Sequence, residues 1–228
     1  MTRLDYWIMP ALATSEAKVV RVFKAEDGRD VLVLDSTIFY AQGGGQPGDR
    51  GTIRSEVRDQ RTEVLVEDVR HVDEEVYHYG TYTEGRFQVG QIVILTIDVE
   101  RRILNTRLHS AAHLLDALMR RFYPSCKPIK SYHFPEGPYV EYQCSDVLDL
   151  EKMKELLSQE CVQHQVHKIP TTIDLTNPER RVVSLYLPGP HAIPCGGTHV
   201  NSVNEIGQIQ IRKIKLKNAV CRISYALI

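Results

Sequence analysis

The sequence predicts an α+β protein in two parts, because its hydrophobic pattern changes near Asp98. Up to residue 97, short segments with strand-like alternation are separated by turn residues. Beyond that point, two long segments with helical spacing are interleaved with short strand-like runs. Strands followed by a mixture of strands and helices are typical of α+β proteins. We therefore divide the chain into residues 1–97 and 98–228.

The first part consists of short predicted strands at regular spacing. Asp27-Gly28 is a strong turn signal between the first two strands. Short strands joined by turns favour a small β-barrel or a β-sandwich, and the pattern does not distinguish the two. The segments are VVRVF, VLVLD, TEVLVEDV, EVYHYGTY and QIVILTID.

The second part begins with a long predicted helix. Asp98 can cap this helix, and Pro124 would end it. A second helix is predicted to begin near Asp149, and the strand-like segments are KSYHF, PYVEYQC, TTIDL, QIQIRKIKL and CRISYAL. The first helix is expected to face the core with Leu104, Leu108, Ala111, Leu115, Leu118 and Phe122.

Charge is distributed unevenly along the chain, although the formal net charge is −1. Residues 1–97 hold 11 basic and 16 acidic residues, whereas residues 98–228 hold 17 and 13. Most of these side chains are expected on solvated surface. The positive excess of the second part can also meet nucleic-acid phosphates. The residues expected at such a surface are Arg101, Arg102, Lys213 and Lys215.

Cysteine usage and hydropathy favour the cytoplasm. The five cysteines are odd in number and lack a disulfide-like spacing, as expected in a reducing compartment. No apolar run approaches the roughly 18 residues of a membrane span, and the first residues lack the apolar core of a signal peptide. We expect no membrane partner. Four cysteines are predicted to be buried or incidental thiols: Cys126, Cys144, Cys161 and Cys221.

Two short segments each carry a pair of strong metal ligands. LHSAAHLL holds His109 and His113, which lie one turn apart on the same face of a helix. IPCGGTH holds Cys195 and His199 at the same spacing. One thiolate and three imidazoles form a donor set that suits zinc better than magnesium or calcium. The sequence therefore predicts one zinc site made of both pairs.

Two classes of zinc enzyme do not fit these residues. A zincin needs a glutamate after its first helical histidine, and Ser110 stands there. A nucleobase deaminase needs a PCxxC pair and an HxE motif, whereas this chain lacks the second cysteine and offers Asp73 in HVDE. Four protein ligands are usual in structural zinc sites, and a catalytic site needs an open position. Zinc alone therefore leaves the function open.

A glycine-rich segment, FYAQGGGQPGDRG, spans residues 39–51. Its glycines let the backbone approach a ligand closely. It is not a Walker loop, because no GK[ST] follows, and it lacks the GxGxxG-then-helix context. A turn between two strands is the plain alternative.

FYAQGGGQPGD, LHSAAHLL and CGGTHV, in this order and spacing, closely resemble the editing domain of alanyl-tRNA synthetases and the free-standing alanyl-tRNA editing proteins called AlaX. The resemblance covers nearly the whole chain, and the glycine-rich motif is similar to that of the medium-length free-standing type. A synthetase catalytic domain does not fit beside these motifs in 228 residues, so we expect action in trans.

The resemblance implies a small β-barrel domain at 1–97 that carries the glycine-rich motif. An α+β editing domain with a mixed or antiparallel sheet and two main helices would follow at 98–228. It implies zinc at His109, His113, Cys195 and His199, and a pocket lined by Gly43, Gly44, Gly45 and Gln46. The implied substrate is tRNA for alanine charged with serine, and often with glycine.

Within that pocket, Gln46 is the candidate catalytic residue and polar substrate contact, and Thr198 is a second substrate-binding candidate. A backbone-bonded loop hydroxyl is the alternative for Thr198. Ala111-Ala112 stand where the family more often has threonine or bulkier residues. His191 can orient a ligand. The other histidines are predicted to be solvated or carry no spacing signal: His71, His78, His133, His164 and His167.

Two roles for zinc remain open. It can activate water and polarise the ester, or it can order the pocket while tRNA groups assist the water. The rival class is a non-catalytic, zinc-stabilised tRNA- or RNA-binding module. The glycine-rich loop with Gln46 favours the enzyme, because a structural zinc fold does not need it.

Overall fold

The computed structural model describes residues 1–57, 60–176, 181–185 and 192–228. The chain forms two compact units: residues 1–43 with 47–103, and residues 44–46 with 104–228. The α+β class is confirmed, with a six-stranded barrel, further antiparallel sheets and two main helices. Gly44, Gly45 and Gln46 group with the second unit, whereas the sequence placed the whole glycine-rich motif in the first domain. The boundary between residues 97 and 98 stays a prediction.

The first unit is a closed antiparallel barrel, which decides between barrel and sandwich. Its strand order is β2-β3-β7-β6-β5-β8, and β8 closes it by pairing with both β2 and β5. Short β1 and β4 pair in parallel beside it. The elements are β1 Arg3–Leu4, α1 Asp5–Ile8, β2 Thr14–Lys24, β3 Asp30–Leu34, β4 Ser36–Thr37, β5 Gly51–Val57, β6 Gln60–Val72, β7 Glu75–Glu84 and β8 Ile92–Ile97.

Alternate residues of the barrel strands fill its interior. Strands whose side chains alternate between two faces bury one set and expose the other. On β8, for example, Val93 and Leu95 are fully buried while Ile92 is exposed. The buried apolar side chains include Leu32, Ile53, Val64, Val69 and Val76.

The helix α2, Val99–Phe122, begins where the sequence predicts. The Asp98 carboxylate accepts the N–H of Arg101 at 3.0 Å, as a helix cap does. Arg102 forms a buried ion pair with Asp49 and also donates to the carbonyls of Ile38 and Pro10. Arg102 is 4% exposed, so the expectation that it meets nucleic-acid phosphates is wrong.

The second unit contains two antiparallel sheets. The larger one has the strand order β14-β15-β10-β9, and the smaller one β11-β12-β13. Its elements after α2 are β9 Lys127–Tyr132, β10 Tyr139–Gln143, α3 Leu150–Val166, β11 Thr171–Asp174, β12 Val182–Leu185, β13 Ala192–Pro194, a 3-10 turn Val203–Ile206, β14 Ile209–Lys217 and β15 Val220–Leu227. Asp149 caps α3 by accepting the Lys152 N–H, as predicted.

Both helices pack on the larger sheet through one continuous apolar core. Most of the predicted face of α2 is buried in it, including Leu108, Leu115 and Leu118. Leu104 is 37% exposed and is an exception to that prediction. Helix α3 contributes Met153, Leu157 and Cys161, and the sheet contributes alternate residues of β10 and β15.

Cys126 and Cys144 are buried, as predicted, but a disulfide joins them, so the prediction that both are thiols without a disulfide partner is wrong. Strands β9 and β10 pair as antiparallel neighbours between these two residues, which brings the cysteines together. Cys161 and Cys221 are buried free thiols, as predicted. Within the described ranges, the helices lack the combination of length and apolarity that a membrane span needs.

Candidate metal centre

The two ligand pairs converge at one point in the second unit. His109 and His113 project from α2, and Cys195 and His199 lie in the loop after β13. The His109 Nε2 lies 3.0 Å from the His113 Nε2 and 3.2 Å from the Cys195 Sγ, and the His199 Nε2 lies 3.4 Å from the same sulfur. One donor atom from each residue lies within 4.8 Å of all the others. The cluster can hold a metal ion.

Burial keeps the three imidazoles neutral. It lowers the pKa of His113 to about 4, and burial together with neighbouring imidazoles holds the pKa values of His109 and His199 well below the usual range. A neutral imidazole offers a nitrogen lone pair at neutral pH. Burial also raises the pKa of Cys195, while the N–H of Gly197 and the charge of Arg181 oppose that shift. A cation stabilises four donors held this close together, three of them buried and Cys195 partly buried, and this nitrogen–sulfur set fits zinc.

The CGGTH loop passes directly over the His109 ring. A Cβ on Gly197 would lie 2.4 Å from the His109 Cε1, so the loop can take this path only with glycine there. The guanidinium of Arg181 donates to the carbonyls of Cys195 at 2.9 Å and Gly197 at 2.6 Å. Arg181 is 3% exposed and therefore ties the loop from inside the protein. Sequence analysis did not identify it.

Ser110 fastens the far end of the same loop to α2. Its hydroxyl donates to the Thr106 carbonyl at 2.8 Å and accepts the N–H of Val200 at 3.1 Å. Ser110 stands where a zincin would have its general base. Through these two hydrogen bonds, Ser110 anchors the segment that follows His199 to α2.

The glycine-rich loop reaches the cluster through three residues of the second unit. A Cβ on Gly44 would lie 3.8 Å from the His109 Cε1, an ordinary contact distance. Gly45 has φ +80°, and a Cβ there would lie 2.7 Å from the Ser131 carbonyl oxygen, so no other residue fits without displacement. Gly43 groups with the first unit, where its carbonyl accepts the Tyr40 hydroxyl at 2.8 Å.

Gln46 and Thr198 lie together, as the pocket hypothesis requires. The Gln46 side chain is fully buried; its Oε1 accepts the Thr198 N–H at 3.1 Å and its Nε2 donates to the Thr198 Oγ1 at 2.9 Å. The Thr106 Oγ1 lies 2.6 Å from the same hydroxyl. The side chains therefore form a polar chain beside the metal ligands, and Thr106 is a member that sequence analysis missed. Direct substrate contact by any of them stays a prediction.

His133, which showed no spacing signal, borders the cluster. Its ring centroid lies 4.9 Å from that of His109, and its backbone N–H donates to the Gly45 carbonyl at 2.9 Å. The Tyr225 hydroxyl donates to the Leu108 carbonyl, so the His133 Nδ1 donates to the Tyr225 oxygen at 3.0 Å. Burial lowers the pKa of His133 to about 3. His191 lies outside the described residues.

Comparison with known proteins gives matches to both parts of the chain. Residues 8–101 match the family model described as tRNA synthetases class II (A). The alanyl-tRNA editing protein AlaX-L of Pyrococcus horikoshii is 31% identical over 230 aligned residues, which cover 96% of this chain and 56% of that protein. The alanine–tRNA ligase of Prochlorococcus marinus strain AS9601 is 27% identical over 86% of this chain and 24% of the ligase.

A third relative matches a shorter segment with higher identity. The alanine–tRNA ligase of Jannaschia sp. strain CCS1 is 45% identical over 102 residues, which are 44% of this chain and 11% of the ligase. The chain thus spans about half the length of the editing protein and a quarter or less of these ligases. The chain is thus similar over nearly its whole length to the alanyl-tRNA editing protein AlaX-L, and over most of its length to an alanine–tRNA ligase.

Proposed function

We propose that this chain acts in trans, in the cytoplasm, and hydrolyses the aminoacyl ester of alanine tRNA that carries serine. Alanine tRNA that carries glycine is the second substrate we propose to test. The observation that carries the proposal is the position of the Gln46–Thr198 pair beside four convergent metal ligands. The names of the relatives, an editing protein and alanine–tRNA ligases, support tRNA as the partner.

The reaction adds one water molecule across the ester bond. The water oxygen bonds the acyl carbon, the bond from that carbon to the ribose oxygen breaks, and a proton passes to the ribose oxygen. The products are a free amino acid and a tRNA with a free 3′-terminal hydroxyl. A second, hydrolytic site of this kind corrects a synthetic site that separates small amino acids by only about 1–3 kcal/mol.

We assign His109, His113, Cys195 and His199 to a zinc ion. When bound, zinc would supply a Lewis acid for a carbonyl oxygen and would lower the pKa of a bound water. The neutral histidines present their lone pairs, and Cys195 must release its proton to become a ligand, which couples metal binding to pH. Arg181 and Gly197 hold the loop so that Cys195 faces the two helical histidines.

The polar chain of Gln46, Thr198 and Thr106 is our candidate for recognising serine. An apolar pocket rejects an added hydroxyl poorly, whereas a site that hydrogen-bonds a hydroxyl can discriminate by several orders of magnitude. The Thr198 hydroxyl accepts a hydrogen bond from the Gln46 Nε2 and lies within hydrogen-bond distance of the Thr106 hydroxyl. We infer that Gln46 orients Thr198 and that the hydroxyl groups contact the substrate.

A deacylation assay tests this function. Zinc-loaded protein should release serine from seryl-tRNA of the alanine type and leave alanyl-tRNA largely intact. A chelator should abolish the reaction, and added zinc should restore it. Elemental analysis should give about one zinc per chain, because the four donor atoms lie close enough to bind one ion together. The double variant His109→Ala, His113→Ala should lose the metal, whereas His164→Ala, outside the cluster, should keep it.

A zinc-stabilised RNA-binding module is the second candidate. Four protein ligands without an assigned open position favour it, since structural zinc sites are usually closed. Its expected result in the same assay is tRNA binding with no release of either amino acid. Equal hydrolysis of seryl- and alanyl-tRNA would reject selective editing while keeping the hydrolase.

A further inference from the structure

The larger sheet of the second unit has one face turned away from the core. On β10, Val140 and Tyr142 are buried in the core, and Tyr139 and Glu141, which alternate with them, point to the opposite face. On β15 the same alternation buries Ile223 and leaves Arg222 on that opposite face. We call this the outer face.

Three aromatic rings form a row on the outer face. The Tyr132 ring stacks on Phe134 with centroids 4.4 Å apart and an interplanar angle of 9°, and on Tyr139 at 5.4 Å and 21°. All three are partly exposed. The Arg222 guanidinium lies 4.1 Å from the Tyr139 centroid, and the Lys130 Nζ lies 6.0 Å from it. The stacking row is therefore Phe134, Tyr132 and Tyr139, with cations at one end.

A second row on the outer face is basic. Strand β14 pairs Lys213 with Ser224, Lys215 with Arg222 and Lys217 with Val220, so these lysines share the face of Arg222. All three lysines are exposed. The carboxylate of Glu141 bonds Arg222 at 2.6 Å, and it is the one acid among the outer-face residues named above. The lysine row is Lys213, Lys215 and Lys217.

Strand β9 connects the outer face to the candidate metal centre. It is one of the two edge strands of the sheet. Tyr132 belongs to the stacking row, and its two chain neighbours contact the centre: the Ser131 carbonyl packs against Gly45, and the His133 ring lies beside His109. A flexible, chain-like ligand that lies on the outer face can therefore reach the candidate metal centre by passing around β9.

We propose that the outer face binds unpaired RNA, with bases stacked on the stacking row and phosphates on the lysine row. Stacked aromatic rings with flanking cations match single-stranded RNA, whose exposed bases have flat faces and whose backbone is anionic. A duplex hides its base faces, so only the lysines would contact it. If the proposed editing function holds, the bound segment is the unpaired 3′ end of the aminoacyl-tRNA.

Binding of a short, labelled, unpaired RNA to the zinc-loaded full chain tests the lysine row. The variant Lys213→Gln, Lys215→Gln should lose affinity, and the slope of log affinity against log salt should fall by about 0.7 for each phosphate contact removed. The control Lys152→Gln, Lys168→Gln removes equal charge from exposed positions on α3 and just beyond it. Equal losses in both double variants would overturn the proposal, because net charge would then explain them.

Substitution of Tyr139 tests the stacking row. Tyr139→Leu should weaken unpaired-RNA binding about tenfold, the order expected for loss of one stacked base, whereas Tyr139→Phe should bind as the wild type does. Melting temperatures of both variants check that the sheet is intact. Duplex RNA that binds as tightly as the unpaired strand, with no effect of Tyr139→Leu on either, would overturn the proposal.

The binding assay is independent of deacylation. RNA binding that needs Tyr139 and Lys215, in a protein that releases no amino acid, would support the outer face and reject the editing function. Wild-type RNA affinity in every outer-face variant would reject the outer face, whatever the deacylation rate. Absence of RNA affinity in the wild type would also reject it and would favour a protein partner for these rings.

Discussion

Thr198 bonds both polar ends of the Gln46 side chain. Its backbone N–H donates to the Gln46 Oε1, and its hydroxyl oxygen accepts from the Gln46 Nε2. Gln46 is thus suited to hold the CGGTH loop, and through it the neighbouring His199. A buried amide with both ends engaged is costly to remove, because its partners are left without hydrogen bonds. A comparison of Gln46 and Thr198 variants is therefore needed to separate substrate contact by Gln46 from its positioning of the loop.

Gln46→Ala should lower seryl-tRNA deacylation about tenfold or more, since an orphaned buried partner costs about 1–3 kcal/mol. The zinc content should stay at the wild-type value, because Gln46 is not a ligand. Half-buried Gln42, on the other side of the three glycines, provides the control Gln42→Ala, which should react at the wild-type rate. Single-turnover kinetics measures both.

A double-mutant cycle identifies the partner of Gln46. If Gln46 acts through Thr198, then Gln46→Ala combined with Thr198→Val should be no slower than Thr198→Val alone. If Gln46 instead bonds the serine hydroxyl, glycyl-tRNA hydrolysis should fall less than seryl-tRNA hydrolysis in Gln46→Ala. Additive losses that are equal for the two substrates would contradict both readings.

Local spacing was enough to predict the four residues that converge on one possible metal position, because each pair lies within one turn or one short loop. Arg181 and His133 carry no such pattern, since they reach the cluster only when distant segments pack. Arg102 shows the converse case. It looked like an exposed helix cation, and Asp49 of the glycine-rich motif turned it into a buried ion pair. Exposure of a charged side chain depends on partners that sequence spacing does not reveal.

At the scale of elements, strand β7 carries a buried histidine in the barrel. The His78 Nε2 lies 2.7 Å from the Thr37 hydroxyl, and its Nδ1 lies 3.0 Å from the Leu32 carbonyl. Since a carbonyl only accepts, Nδ1 carries the proton and Nε2 accepts from Thr37. Burial lowers the pKa of His78 to about 4. A second proton would have to enter a fully buried site.

This histidine should make the barrel less stable in acid. The folded pKa lies below the unfolded value near 6.5, so the unfolded chain binds more protons as pH falls from about 6.5 to 4. Stability from this group is present above pH 6.5 and is lost through that window, by an amount on the order of 3 kcal/mol. Denaturant unfolding at pH 7 and pH 4.5 should show a smaller loss in His78→Gln than in the wild type. An equal loss in both proteins would assign the acid sensitivity to other groups.

Helix and strand positions were predicted well where period and caps agree. Asp98 and Asp149 cap the two helices as their sequence context indicates. The strand pattern left barrel and sandwich open, and only the family resemblance implied a barrel, because barrel closure is long-range. The disulfide was not predicted, because the adjacency of its two strands is also long-range. Strands β5 and β8 close the barrel across the chain, and β9 and β10 bring Cys126 to Cys144.

At the scale of the molecule, each unit has its own apolar core, and the four candidate metal ligands all belong to the second unit. Metal removal should therefore act unevenly. Hydrogen exchange with and without chelator should speed up in peptides covering the ligand turn of α2 and residues 192–200, since metal binding contributes to folding free energy. Peptides from β3 and β7 should change little. A uniform increase over the whole chain would show that the metal stabilises both cores together.

Because Gly44, Gly45 and Gln46 group with residues 104–228, the second unit is discontinuous in the sequence. A fragment beginning at Asp98 would keep all four metal ligands, yet it would lack the amide that Thr198 bonds and would leave Arg102 without Asp49. Dissection by simple truncation would thus remove the amide partner of Thr198 along with the barrel. Grafting the cluster of candidate ligands with its polar neighbours onto another protein would require residues 44–46 as well as the C-terminal segment.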